Sequence, residues 1–258
     1  MTDSSTPDNT QRFTGRAADY DQYRERYDAS ILLPRLRDWC GLTSGWLIAD
    51  IGAGTGMLAD VFLANGISVV AIEPNAEMRE ACASLHPNQP LLQIINGTAE
   101  ATTLPDHSVD LVCCGRAFHW FDVDRAMMEF RRILKPDGWF VSVAFGRSAE
   151  GREENVALEA LLCSFTPNIP SLRDAYDKYR QLPKLLPRDY RREEIAEAIH
   201  LTWPEFLGLL RSNSQAPLAG DPRFPAFEHA LQELFDHYAV AKRITLATRY
   251  WINAGRLV

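Results

Sequence analysis

The sequence predicts an α/β protein built on a doubly wound, mostly parallel sheet with helices on both faces. Between residues 46 and 145, short apolar runs alternate with helical patterns. The runs are apolar on both of their faces, which is typical of strands buried between two helical layers. A turn with three glycines, residues 52–56, follows the first run. In an open sheet of this kind, ligands bind at the carboxyl ends of the strands.

Each element of this sheet has its own signal. The first helix, residues 57–65, ends at Gly66, and the second covers residues 75–86. A strongly amphipathic third helix, residues 122–135, is expected to stop at the Pro136-Asp137-Gly138 turn. The predicted strands that these helices separate are residues 46–51, 67–73, 91–96, 108–114 and 138–145.

The pattern changes after residue 146. Helices are expected at residues 150–165, 171–182, 203–211 and 225–241. Residues 191–201 fit a helix or a strand, and residues 244–252 are rich in β-formers and are expected to return to the sheet. We therefore divide the chain into a leader that is expected to be disordered (1–11), a core with an N-terminal lid (12–146) and a helical cap (147–258). The cap is the region expected to bind the molecule on which the protein acts.

Composition narrows the class of partner. The chain has 258 residues and a net charge of −7, and residues 1–150 hold 13 Lys and Arg against 20 Asp and Glu. A domain with a negative net charge is poorly suited to bind the negatively charged phosphate backbone of nucleic acid. No apolar run approaches the ~20 residues that span a bilayer, so no membrane is expected. The five cysteines lack metal-ligand spacing, so we expect buried free thiols, no metal and a cytoplasmic location.

The glycine turn limits the choice of ligand. Alternate glycines let the backbone turn sharply and bring its N–H groups close to a ligand at the start of a helix. A dinucleotide fingerprint needs a third glycine where Met57 stands. Asp50 ends the strand before the turn and disfavours a pyrophosphate, whereas it favours a cationic amine. Glu73 ends the second strand, where a carboxylate can accept both hydroxyls of a ribose.

The segments D-I-G-A-G-T-G, Glu73, G-T-A-E (97–100) and L-K-P-D-G-W-F (134–140) together resemble the class I S-adenosylmethionine-dependent methyltransferases, closest to the small-molecule group called type 11. The resemblance covers residues 13 to about 145. It implies a Rossmann-like sheet of seven strands, S-adenosyl-L-methionine as the cofactor, and transfer of its methyl group to a small-molecule acceptor by direct in-line displacement. A monomer or a homodimer fits this group.

The resemblance also implies roles for individual residues. Asp50 acts on the amino-acid end of the cofactor, directly or through a water, and Glu73 holds the ribose hydroxyls. The lid residues Tyr20 and Arg24 lie over the methionine carboxylate, for which the planar fork of an arginine is suited. A solvated amphipathic helix is the alternative for this lid segment. The methionine moiety is lined by Gly52, Ala53, Gly54 and Gly56.

The adenine is expected on the other side of the ribose. Pro74, Asn75 and Met78 border the ring, and Ala99 offers its backbone N–H to a ring nitrogen. Many relatives carry Asp at the position of Thr98, so Glu100 is our candidate acceptor for the exocyclic amine.

The segment G-R-A-F-H-W-F-D, residues 115–122, follows the fourth strand and reaches the same edge. Arg116 and Ala117 are expected to border the methionine end of the cofactor, and Trp120 to contact the substrate. His119 has a pKa range suited to a general base, although a structural hydrogen bond is the favoured interpretation. The acceptor pocket is expected under aromatic residues of the cap, Tyr176, Tyr179, Trp203, Phe206 and Tyr250.

Two other classes stay open. A non-catalytic module could retain the fold and the cofactor site, although intact Asp50, Gly54 and Glu73 oppose that interpretation. A nicotinamide-dependent oxidoreductase needs the glycine that Met57 replaces. Within the methyltransferases, a carboxylate or hydroxyl acceptor is favoured, and a carboxylate acceptor needs no general base.

Overall fold

In a computed structural model, residues 14–148, 151–165 and 177–257 are described. Within them the chain forms one sheet of seven strands in the order β3-β2-β1-β4-β5-β7-β6. All neighbouring pairs are parallel except those made by β7, which runs antiparallel to β5 and β6. This confirms the predicted α/β class. The strands are β1 (Leu47–Ile51), β2 (Ser68–Ile72), β3 (Leu92–Ile95), β4 (Val109–Gly115), β5 (Leu134–Arg147), β6 (Arg188–Leu201) and β7 (Ile244–Arg256).

Helices cover the sheet and begin at polar caps where the sequence supplies them. Asp28, Asn75 and Asp122 each accept a hydrogen bond from a backbone N–H of the helix that follows, as capping side chains do. The helices are α1 (Ala17–Tyr23), α2 (Ala29–Cys40), α3 (Met57–Leu63), α4 (Ala76–Leu85), α5 (Val123–Ile133), α6 (Glu153–Phe165), α7 (Leu182–Leu185), α8 (Trp203–Arg211) and α9 (Phe224–Tyr238).

Two segments differ from the expected elements. The Pro136-Asp137-Gly138 turn does not separate α5 from the next strand, because β5 already begins at Leu134. The turn instead forms an irregularity in the pairing of β5 with β4, and Asp137 has a φ of 63°. Residues 191–201, which fit a helix or a strand, belong to β6 at the edge of the sheet.

The predicted helix at residues 171–182 lies partly outside the described residues. The leader, residues 1–11, and Tyr176 lie wholly outside them. The described end of the predicted helix is a short 3-10 turn, Lys178–Gln181, which leads directly into α7.

Apolar side chains form one layer on each face of the sheet and a third cluster in the cap. Phe62 of α3 belongs to the layer on one face of the sheet, together with residues of α2, and Phe130 of α5 belongs to the other layer. Phe227 lies in the cap cluster, which also includes Ile244 and Leu246 of β7 and so ties the cap to the sheet. Within the described ranges, no helix combines the length and the apolar character needed to cross a membrane.

Candidate active site

A cavity lies where β1, β2 and β4 end. The cavity is open toward solvent on one side, as the clefts that bind small ligands commonly are. The strand order puts the loop after β3 at one end of the cavity and the loop after β4 at the other. Its lining is Tyr20, Gly52, Gly54, Glu73, Pro74, Met78, Thr98, Ala99, Glu100, Gly115, Arg116, Ala117, Trp120 and Phe121.

The three glycines of the turn after β1 have φ values of 69°, 59° and 92° at Gly52, Gly54 and Gly56, which glycine adopts without a steric penalty. A Cβ at Gly54 would have nothing within 4 Å, whereas one at Gly52 would lie 2.8 Å from the Cβ of Ala117. A Cβ at Gly56 would lie 2.8 Å from Cε1 of His86. Only Gly54 therefore combines open space with a place in the lining.

Glu73 is held at the base of the cavity by two backbone donors. Its Oε2 accepts from the N–H of Gly54 and its Oε1 from the N–H of Asn75, both at 2.9 Å. Burial raises the pKa of Glu73, and these two hydrogen bonds oppose that rise. A carboxylate oxygen can accept more than one hydrogen bond, so each oxygen can accept another from a hydroxyl in the cavity.

Asp50 lies beneath the turn and does not line the cavity, since only 1% of it is exposed. Its Oδ1 faces the thiol of Cys113 at 3.8 Å. Its Oδ2 is buried and has no hydrogen-bond partner among the described residues. Burial raises the pKa of Asp50 to about 7. A role on the amino-acid end of a ligand would therefore need a bridging water or a shift of the turn.

The cavity end beyond β2 and β3 is lined by Pro74, Met78, Thr98, Ala99 and Glu100. Asn75 is not part of this lining, because its Oδ1 caps α4 by accepting from the N–H of Met78 at 3.1 Å. The Oε1 of Glu100 accepts from the N–H of Asp122 at 2.9 Å. That bond holds the side chain between the loops after β3 and β4, and its second oxygen can accept a further hydrogen bond.

At the opposite end, Arg116 brings a cation to the wall of the cavity. Its side chain is 7% exposed, and its Nη1 lies 3.4 Å from Oε2 of Glu25. Its guanidinium carbon lies 5.0 Å from the ring centre of Tyr27 and 5.9 Å from that of Tyr20. Arg24 stacks on Tyr20 as well, at 5.4 Å, but does not reach the lining.

His119 and Trp120 form a short 3-10 turn with Phe118 after β4. Trp120 lines the cavity, and the ring of His119 lies 4.4 Å from the ring of Trp120. Nδ1 of His119 is 3.4 Å from the hydroxyl of Tyr179. This contact agrees with the structural interpretation of His119, which is outside the cavity lining. It also places Tyr179, expected in the roof of the acceptor pocket, beside the cavity mouth.

Helix α1, which belongs to the segment predicted as a lid, contributes Tyr20 to the cavity lining, and contacts on both sides hold it. Gly15 donates its N–H to Oε2 of Glu77 on α4 at 2.6 Å. Arg16 donates to the carbonyl of Arg211, at the end of α8, at 2.8 Å. The ring of Tyr23 occupies the space over Gly208 of α8. The lid therefore connects α4 of the core with α8 of the cap.

The structure thus brings most of the predicted site residues into one cavity. Those that it places outside the lining are Arg24, Asp50, Ala53, Gly56, Asn75 and His119. Two lining residues were not among the candidates, Gly115 and Phe121. Both belong to the segment 115–122, so their position after a predicted strand could have identified them. The contact of Tyr27 with Arg116 could not have been predicted from the sequence.

Part of this chain is similar to known methyltransferases. Residues 49–142 match the family model described as a methyltransferase domain. An uncharacterized methyltransferase of Mycobacterium bovis is 34% identical over 134 residues, which are 52% of each chain. The malonyl-[acyl-carrier protein] O-methyltransferase of Methylococcus capsulatus is 33% identical over 102 residues, 38% of this chain and 37% of the relative. The matches span about half or less of these curated relatives.

Solved structures support the fold. A protein of Anaeromyxobacter dehalogenans, provisionally described as a type II methyltransferase, superposes with a TM-score of 0.63 at 22% identity, covering 91% of this chain and 98% of the other. The YcgJ protein of Bacillus subtilis superposes with a TM-score of 0.55 at 21% identity, covering 88% and 98%.

The matched segment, 49–142, contains the end of β1, the glycine turn, and β2 to β4. Residues 49–142 of this chain therefore match a methyltransferase domain. The match supports the resemblance to the class I S-adenosylmethionine-dependent methyltransferases found in the sequence, and S-adenosylmethionine is the cofactor that this resemblance implies.

Proposed function

We propose that this protein transfers the methyl group of S-adenosylmethionine to a small-molecule acceptor. One observation supports this most directly: Gly54 and Glu73 lie together at the base of the cavity. The turn offers open space at Gly54, and the carboxylate of Glu73 is fixed by the N–H of Gly54 itself. A ribose bound to Glu73 therefore leaves the rest of an adenosyl compound beside the bare backbone of the turn.

The residues around the cavity fit the cofactor. Glu73 retains acceptor capacity on both oxygens for the two ribose hydroxyls. Met78 and Pro74 supply apolar surface for the adenine, and Glu100 can accept from its amine. Asp50 lies buried under the turn, and its carboxyl group can reach the ammonium group of the amino-acid end through a bridging water.

When bound, the cofactor would supply a methyl group that is activated by the positively charged sulfur. A lone pair of the acceptor can then bond to the methyl carbon as the carbon–sulfur bond breaks and the neutral thioether leaves. The protein then has to align the acceptor and keep water out. Tyr20 of the lid and Trp120 of the 115–122 segment line the cavity and provide that enclosure. Because a carboxylate acceptor loses no proton, this role needs no base from His119.

For the acceptor, we favour a carboxylate or a hydroxyl. The relative from Methylococcus capsulatus is a malonyl-[acyl-carrier protein] O-methyltransferase, and a malonyl group attached through one of its carboxyl groups keeps the other free. We extend to this chain only the chemical class, O-methylation of a small molecule.

Calorimetry with S-adenosylhomocysteine, followed by a labelled-methyl screen of carboxylic acids, phenols and amines, tests the proposal. We expect Glu73→Ala to weaken S-adenosylhomocysteine binding by about 2 kcal/mol or more, because a charged acceptor of two hydrogen bonds is lost. Glu80→Ala, at an exposed position on α4, is the matched control and should bind normally. Unchanged affinity in Glu73→Ala would remove the ribose from this site.

The same experiment separates the two alternatives. Tight S-adenosylhomocysteine binding without transfer to any acceptor would favour a non-catalytic module. Binding of NADH in place of S-adenosylhomocysteine would favour an oxidoreductase, which Met57 disfavours because its side chain occupies the position of the third dinucleotide glycine.

A further inference from the structure

Arg116 places a largely buried positive charge in the cavity wall. Its side chain is 7% exposed and its backbone has a φ of 55°. A positive φ is uncommon for an arginine and is held only where the surrounding structure fixes it. The residue directly follows β4, so the sheet itself fixes the direction in which this segment leaves the strand.

The neighbours of Arg116 leave part of the hydrogen-bonding capacity of its guanidinium unused. Glu25 lies 3.4 Å from Nη1, longer than the 2.7–2.9 Å typical of a charge-assisted hydrogen bond. Nη2 faces the sulfur of Met57 at 3.4 Å, which is a weak acceptor. Nε is buried and has no hydrogen-bond partner among the described residues. The hydroxyl of Tyr27 also accepts a hydrogen bond from the guanidinium, and the rings of Tyr20 and Tyr27 stabilise the charge. None of these neighbours is a planar carboxylate that binds both sides of the fork.

A buried guanidinium of this kind is suited to an anion that enters the cavity. An arginine presents its N–H groups in a planar fork that matches a carboxylate. A carboxylate bound there would also replace the hydration that burial has removed from the cation. An amine acceptor would instead place a second positive charge beside the guanidinium.

The position of Arg116 along the sheet edge indicates which ligand supplies the anion. The order of strands is β3, β2, β1, β4, so Glu73 after β2 and Arg116 after β4 lie on opposite sides of the glycine turn. With the ribose at Glu73, as in the proposed function, the end at Arg116 and Trp120 is left for the acceptor. We infer that Arg116 anchors a carboxylate of the acceptor, and that this protein methylates small carboxylic acids rather than neutral or cationic compounds.

This inference rests on the proposed function and is tested by binding as well as by turnover. The probes are benzoate, trans-cinnamate and hexanoate, each paired with its carboxamide, titrated into protein saturated with S-adenosylhomocysteine. In the natural protein we expect at least one acid to bind about tenfold or more tightly than its amide, the scale expected for a desolvated charge pair. The same acid should be the better methyl acceptor.

Arg116→Gln should remove that preference while the affinity for S-adenosylhomocysteine stays within about twofold, and Arg116→Lys should restore part of it because the charge returns. Arg37→Gln, at an exposed position on α2, changes the net charge equally and should leave the preference intact. Thermal unfolding of each variant shows that it is folded.

Two results would overturn the assignment. If Arg116→Gln weakened S-adenosylhomocysteine itself tenfold, the guanidinium would hold the cofactor's own carboxylate. If no acid were preferred to its amide, or if the preference survived in Arg116→Gln, the acceptor would not be anchored there. Failure of the natural protein to bind S-adenosylhomocysteine at all would instead remove the proposed function, and with it the basis of this inference.

Discussion

Each glycine of the turn after β1 has a positive φ, yet a side chain added at each would meet different surroundings. At Gly52 it would meet Ala117, and at Gly56 it would meet His86 and Cys82. At Gly54 it would project into open space. The first and third glycines are therefore needed for packing, whereas the second is the one whose lack of a side chain serves a ligand.

Gly54→Val should abolish S-adenosylhomocysteine binding while the protein still folds. The variant strains the backbone by about 1–3 kcal/mol, but a Cβ at this position has no protein atom within 4 Å. Gly66→Val is the matched control, since Gly66 has a φ of 72°, open space around its Cβ position, and a place after α3 away from the cavity. Calorimetry should find normal binding in the control only, and binding by both variants would show that the turn is not the site.

Asp50 makes the free energy of unfolding depend on pH. Because burial raises its pKa from 3.8 to about 7, the folded state retains a proton that the unfolded state has lost between these two values. The contribution of Asp50 to the free energy of unfolding is therefore greatest below about pH 4. It declines as the pH rises toward 7, by at most about 1.4 kcal/mol per pH unit.

Asp50→Asn resembles the protonated carboxyl and removes this titration. The difference in unfolding free energy between the variant and the natural protein should therefore grow in favour of the variant from pH 5 to pH 8. Urea unfolding at several pH values measures it. A difference that stays constant across this range would mean that Asp50 is ionised throughout.

Among the elements, α1 depends on a single close approach. The ring of Tyr23 lies where a Cβ on Gly208 of α8 would stand. Asp19 of α1 also pairs with Arg211 at the end of α8, at 3.1 Å. Since Tyr20 of the same helix lines the cavity, the packing of α1 on α8 determines how the lid meets the ligand.

Gly208→Ala should displace α1 and weaken S-adenosylhomocysteine binding by about 1 kcal/mol or more, the scale of overpacking in a closed interface. The gain in helix propensity, about 1 kcal/mol, opposes any loss of stability but cannot restore the lid. Tyr23→Leu removes the obstructing ring, so the double variant should bind more tightly than Gly208→Ala alone. Additive effects of the two changes would show that the residues do not interact.

The sequence predicted the elements that are buried on both sides. Strands β1, β2 and β4 and the second half of β5 are apolar on both faces because helices cover them, and that pattern has few other interpretations. β6 could not be assigned because an edge strand pairs on one side only, so side chains such as Arg192 and Glu194 stay exposed and its periodicity is weak. The length of β5 was underestimated since its Pro136 reads as a stop, although an irregular strand can contain it.

The candidate site followed from strand ends, because residues placed after parallel strands share one edge. This is why Glu73, Gly54 and Ala99 were predicted to lie together, and they do. Contacts between distant segments carry no such signal. The placement of Gly56 against His86, and of Tyr27 against Arg116, depends on how helices pack, which spacing along the chain does not encode.

On the scale of the whole molecule, the lid joins parts of the chain that the sequence suggested were separate. Gly15 is bonded to α4 of the core, and Arg16 to the carbonyls of Arg211 and Ala216 in the cap. Strand β7 pairs with β5 along its length, and its residues Ile244 and Leu246 lie in the cap cluster. Core and cap therefore share both a sheet and a lid, so we expect them to unfold together.

This connection predicts how the molecule responds to its cofactor product. S-adenosylhomocysteine at about 100 times its dissociation constant should stabilise the folded state by about 2.7 kcal/mol. That corresponds to a rise in Tm of roughly 5–10 °C for a domain of this size. Because the lid joins the cap to the core, calorimetry should show one transition that moves as a whole. NADH should not move it, and Gly54→Val should not respond to either compound. Two transitions, of which only one shifted, would mean that the cap folds independently of the cavity.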